Sequence, residues 1–124
     1  MTKEQARNQA LAASGGALTV FIGLCHEFVG LVLFPWGEAF FGGPVGWHLA
    51  GLICIAVGVG LFAGALRLVR FPVVPVAIVL SVAGVAVTVI TAVLTQQFHL
   101  FALTLAVSGV VIAYCHPRSL AHEG

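Results

Sequence analysis

The chain has 124 residues, of which 60% are hydrophobic and 7% charged, with a formal net charge of +1. Together with a mean hydropathy of +1.13, this balance lies far from that of a water-soluble domain and reads as an integral membrane protein. It leaves no room for a separate soluble catalytic module, and nucleic-acid binding is unsupported because only five Lys and Arg residues exist and membrane topology accounts for all of them.

Four apolar segments follow in order, from about Ala10 to Phe34, Trp47 to Leu66, Phe71 to Leu94 and Phe98 to Cys115. Each is near the roughly 20 residues that cross about 30 Å of hydrocarbon. Backbone groups in lipid must be satisfied within the segment, and the alternation of barrel strands is missing, so each segment reads as a helix. The expected fold is all-α, a single four-helix transmembrane bundle spanning residues 1–124.

The first segment carries its small residues, Ala12 to Gly16, at its start rather than after a short apolar core. It is therefore read as a retained span and not as a cleaved signal. Lys3 and Arg7 precede it, Arg67 and Arg70 lie between the second and third segments, and Arg118 follows the fourth. All five fall on one side of a four-span topology, which predicts both termini in the cytoplasm of a cell-membrane protein.

The connections around Arg67 to Arg70 and Thr95 to Gln97 are short and predict antiparallel hairpins, with Pro72 and Pro75 where a helix start tolerates proline. The longer outer stretch from Pro35 to Gly46 is aromatic and glycine-rich. It is expected to fold over the outer mouth of the bundle, with Trp36 and Trp47 at the interface.

Small residues mark the expected seams. Gly16, Gly23 and Gly30 recur every seven residues in the first segment, and Gly51, Gly58 and Ala65 do so in the second. Ser81, Gly84, Thr88, Thr91 and Thr95 follow three-four spacing in the third, and Phe101, Thr104 and Ser108 continue in the fourth. Such stripes permit close helix approach and interhelical hydrogen bonds, and packing alone accounts for them.

The most informative residues are His26 and Glu27, set in the first apolar run. Ionisable groups at that depth cost several kcal/mol or more unless paired or wetted. Counting at about 1.5 Å per residue from Phe34 places them roughly 12 and 10 Å inward. His48 opens the second segment and His99 the fourth on that side, and Glu38 lies in the outer loop, so these groups gather in one outer layer. A structural polar pair that sets helix register is the plain alternative for His26 and Glu27; ordinary interfacial residues are the alternative for His48, His99 and Glu38.

Three chemistries fit the set. Glu27 and His26, with Glu38, can act as general acid and base in a dry pocket. His26, His48 and His99 can ligate a metal, or one histidine can ligate haem, although no His-x-x-x-His or Cys-x-x-Cys spacing supports a metal. A proton or solute pathway is the third, but the later segments carry no deep charged residue to continue it. Cys25, Cys54 and Cys115 read as small hydrophobes.

The stretches Gly23-Leu24-Cys25-His26-Glu27-Phe28-Val29-Gly30 and Gly43-Pro44-Val45-Gly46-Trp47-His48-Leu49-Ala50-Gly51 resemble small, largely uncharacterised bacterial four-span membrane proteins. They also resemble, over the first two helices and their loop, the membrane-bound styrene oxide isomerases. That resemblance implies a trimer of four-helix subunits that holds haem b at subunit interfaces through histidine and rearranges epoxides to aldehydes. On it, His48 beside Trp47 corresponds to the haem ligand, displaced from the family's spacing by about one helical turn. Pro35-Trp36-Gly37-Glu38-Ala39-Phe40-Phe41 is similar to an acidic aromatic segment of small heterodimeric lycopene cyclase subunits, without their paired glutamates.

The resulting expectation is a homo-oligomeric membrane enzyme that isomerises, cyclises or opens an epoxide of a small lipophilic substrate. Glu27 is its acid or base, His26 its partner or a ligand, His48 a ligand or orienter, and Glu38 and His99 supporting groups. Haem b, a metal or no cofactor all remain compatible. The competing expectation is a non-catalytic assembly subunit or small-solute transporter.

Overall fold

A computed structural model of the chain describes residues 2–33 and 43–120. These form four helices, α1 (Lys3–Leu33), α2 (Gly43–Ala65), α3 (Val73–Thr95) and α4 (Leu100–Leu120), with no strand among the described residues. All four are long and apolar enough to cross a membrane. Large side chains such as Phe28, Val79 and Val93 point outward, as expected where lipid is the outer solvent.

Every helix begins earlier or ends later than hydropathy alone suggests, or is trimmed at a cap. α1 starts at Lys3 because Thr2 and Gln5 form a reciprocal capping box: the Gln5 amide donates to Thr2 Oγ1 (3.1 Å) and the Thr2 amide to Gln5 Oε1 (2.9 Å). α2 starts at Gly43, with Pro44 in its first turn where no amide partner is lost. At its other end the Arg67 amide bonds Gly64 O (3.1 Å) and the Leu68 amide bonds Ala63 O (2.9 Å). With Arg67 left-handed at φ 60°, this is a Schellman stop. α3 ends at Gln96, also left-handed. α4 continues through Pro117 to Leu120.

The helices run alternately up and down, so both termini lie at one end. α1 packs against α2 and α4, and α3 against α4, whereas α2 and α3 touch little. The short connection between α2 and α3 therefore does not produce the tightly packed hairpin that its length suggests. Their contacts concentrate near that connection, where Phe71 covers Gly60 and Val73 covers Gly64.

The glycine stripes lie where the helices come closest. A side-chain carbon at Gly16 would meet the Phe62 backbone at 2.6 Å, and one at Gly23 would meet Ile55 at 2.7 Å. Gly84 faces Ala102 and Ala106, and Gly109 faces Ala77 and Ser81, so glycines also draw α3 and α4 together. The hydroxyl stripe behaves differently. Thr88, Thr91 and Thr95 donate to carbonyls one turn back in their own helix, at 2.7, 2.8 and 2.6 Å. Thr104 does the same at 2.9 Å. These hydroxyls satisfy themselves locally, so close packing rather than interhelical hydrogen bonding joins α3 to α4.

The apolar core sits in the half that contains the termini. Ala12, Ala13, Ala65 and Cys115 form one cluster, and Leu61, Val73, Ala77 and Ile112 another. The opposite half holds its helices with a different material.

Candidate functional site: a polar layer between α1, α2 and α4

His26 and Glu27 are neighbours on α1, so their side chains leave the helix about 100° apart. His26 faces α4 and the first turns of α2; Glu27 faces α2 alone. The two do not pair with each other, contrary to the expectation that His26 partners Glu27. Glu27 Oε2 instead lies 2.7 Å from His48 Nδ1, the sole salt-bridge geometry among the described residues. The carboxylate accepts, so the hydrogen sits on His48 Nδ1. A pair this short is charge-assisted and strengthened where water is scarce.

Gly51, one turn beyond His48, makes room for the pair. The Glu27 carboxyl group occupies the space that a side chain at position 51 would fill. Its second oxygen, Oε1, is buried and has no hydrogen-bond partner among the described residues. A buried acceptor without a donor is costly, and it is also the atom on this pair left to receive a proton.

His26 is fixed by a reciprocal exchange with Trp47. Its Nε2–H donates to the Trp47 carbonyl (3.1 Å), and Trp47 Nε1–H donates to the His26 carbonyl (2.7 Å). The two rings stack with centroids 3.9 Å apart and planes 10° from parallel. Gly30, one turn from His26, permits this approach, because a side chain there would run into the Trp47 and His48 rings. A carbonyl only accepts, so His26 carries its hydrogen on Nε2.

His99 lies 6.3 Å from His26, ring centre to ring centre, and Phe101 meets His26 edge-on at 5.6 Å. His99 also caps α4: the Ala102 amide donates to His99 Nδ1 (3.0 Å). Sequence reasoning missed this role, for which the signal is a polar residue immediately before an apolar helical run. Burial lowers the His99 pKa below its usual value of 6.5, which keeps the ring neutral and Nδ1 available as an acceptor.

His26, Glu27, His48 and His99 thus come together in one layer, as expected. Glu38, together with Trp36 and the rest of 34–42, lies outside the described residues. The metal triad of His26, His48 and His99 does not fit the geometry. Among the described residues no group of three or more His, Cys, Asp or Glu side chains is placed to hold an ion. The reason is local: His26 Nε2 is engaged by Trp47 and His99 Nδ1 by the α4 backbone. His48 differs, since a histidine bonded through one nitrogen to a carboxylate is arranged as single metal- or haem-ligating histidines commonly are. Cys25, Cys54 and Cys115 are all unbridged.

Comparison with protein-family models, with curated proteins and with solved structures finds no match. The functional reading therefore rests on the geometry of this layer.

Proposed function

We propose that the chain is a membrane-embedded enzyme that rearranges a small lipophilic substrate, by isomerisation, epoxide opening or cyclisation, at the layer formed by His26, Glu27, His48 and His99. The observation that carries this reading is the Glu27–His48 pair, in which one carboxylate oxygen is held at 2.7 Å and the other is buried without a partner among the described residues. A base needs an orienting partner and a free lone pair, and Glu27 has both. Oε1 takes a proton from the substrate and returns it at another atom, so the rearrangement consumes no cosubstrate. His48 holds Oε2 and fixes the carboxylate plane. His26 and Trp47 form a rigid aromatic wall, and Glu38 belongs to the loop expected to cover the mouth.

In the same reading the termini face the cytoplasm, following the basic residues at their end, and copies of the chain associate because so small a bundle has little buried interior of its own. Haem b, if held, would take His48, as the resemblance to the styrene oxide isomerases implies, with Glu27 as the orienting carboxylate, and its iron would supply Lewis-acid polarisation of an epoxide oxygen. The second reading, an assembly subunit or small-solute transporter, draws on the reciprocal His26–Trp47 bonds, which tie α1 to α2 whether or not anything reacts nearby.

Vesicles containing the full chain, supplied with styrene oxide as probe, test the proposal. Glu27→Gln keeps the shape and removes the base, so aldehyde formation should fall by about 10²-fold or more with an unchanged melting temperature. Full turnover by a correctly assembled Glu27→Gln protein overturns the role. An absorbance spectrum with metal analysis separates the two uses of His48: a Soret band assigns it to iron, and a colourless, metal-free, active protein assigns it to Glu27.

A further inference from the structure

The end that holds the termini has an open groove of about 610 Å³ between the α2–α3 connection and the last turns of α4. Its walls include Phe71 and Leu120, and its polar groups are Arg67, Arg70 and His116, with no acidic residue among the described lining. Arg67 sits in the left-handed region, where a non-glycine residue is disfavoured by about 1–2 kcal/mol. In that conformation its Nη2 donates to Ser119 O (2.9 Å). Ser119 Oγ in turn donates to the carbonyl of His116 (2.7 Å). The first guanidinium is therefore tied to the same turn of α4 that carries the imidazole.

His116 is 93% buried by the measure of its 7% exposure, and its Nδ1 has no partner. The imidazole lines the groove and can donate a hydrogen bond through whichever ring nitrogen carries its hydrogen. Two guanidinium groups and an imidazole, with no carboxylate among the described lining residues, match a phosphate.

We infer that this groove binds a phosphoryl group, and that its ligand is the headgroup of an anionic phospholipid. The α2–α3 divergence favours lipid over free phosphate. Beyond their connection the two helices touch little, and both carry exposed apolar residues such as Val59 and Val79, so acyl chains can lie against them while the phosphate meets the arginines. Basic pockets between spans recognise lipid headgroups in this way. The site is at the opposite end of the bundle from Glu27 and His48, and it stands whether or not that pair is catalytic.

Native mass spectrometry of the full chain in neutral detergent, titrated with dioleoyl phosphatidylglycerol and separately with dioleoyl phosphatidylcholine, tests the inference. The wild type should retain phosphatidylglycerol preferentially. Arg70→Gln, which removes an exposed side chain, should weaken that retention by about fivefold, and Arg67→Gln with Arg70→Gln by roughly the square of it, bringing it to the phosphatidylcholine level. Arg70→Lys should lose less than Arg70→Gln. Equal retention of both lipids by the wild type, or unchanged phosphatidylglycerol retention in a folded Arg70→Gln protein, overturns the site. Displacement of phosphatidylglycerol by equimolar inorganic phosphate overturns the lipid as its ligand, and persistence of the lipid under that challenge supports it.

Discussion

The two halves of the bundle are held together by different means. Near the termini, α1, α2, α3 and α4 converge on Ala12, Ala65, Leu61, Ala77 and Ile112, small or branched residues without polar atoms. In the other half α2 and α3 have parted, and α1 is tied to α2 and α4 by rings and hydrogen bonds: Glu27 to His48, His26 to Trp47, and His26 edge-on to Phe101. In lipid, apolar packing has no solvent-driven preference over packing against acyl chains. Close glycine contacts occur in both halves, but an apolar core accompanies them only in the first and a layer of paired rings and an ion pair in the second.

Substitutions can break or sharpen this contrast. Glu27→Gln has the largest expected effect, confined to turnover as described above. Gly16→Ala should come next and act on stability alone. Its new carbon would meet the Phe62 backbone at 2.6 Å, which cannot yield without moving a helix, and a loss of about 1–3 kcal/mol is expected, read as a lower melting temperature in detergent. The same change at Gly51 meets the end of the Glu27 side chain instead. Gly51→Ala should therefore displace the carboxylate from His48 and lower turnover by about tenfold, with a smaller loss of melting temperature than Gly16→Ala because no helix has to move. Equal thermal destabilisation by the two glycine substitutions would erase the distinction between the halves.

His99 offers a pH test. Its folded pKa is held below 6.5, chiefly by burial, so the folded protein binds fewer protons here than the unfolded chain does. Its stabilising contribution is present above the unfolded value near 6.5 and is lost as pH falls through the folded value. Protonation also replaces the acceptor that caps α4 with a donor. His99→Ala should cost about 1 kcal/mol at neutral pH and flatten the acid side of a melting-temperature profile, with His26 the facing imidazole that stays in place. Trp47→Phe should have an effect of similar size to His99→Ala, without its pH dependence. It keeps an aromatic ring against His26 and removes one hydrogen bond, costing about 0.5–1.5 kcal/mol in thermal stability.

Much of the fold was legible because bilayer physics leaves few options. A run of apolar residues near 20 long must be a helix, and glycines at seven-residue spacing must face a neighbour if they have a packing role. The helix ends were less legible. Thr2 and Gln5 carry a capping signature that extends α1 beyond its apolar run, whereas a left-handed arginine at position 67 has no local signal, since glycine is the residue that usually marks such a stop. The gathering of His26, Glu27, His48 and His99 could be projected from depth alone.

Which of them pair could not be projected. One residue along a helix turns a side chain by about 100°, and the azimuth of α1 against α2 and α4 is set by all the glycine contacts together. The amino-acid sequence by itself therefore pointed to a membrane solvent, to four helices and to the position of each ionisable group along its own segment, because these depend on composition and on spacing within one helix. Only the tertiary structure decided that Glu27 meets His48, that His26 is committed to Trp47, and that Arg67 and His116 share a groove at the other end. Those facts depend on the rotation of one helix against another, which no single segment encodes.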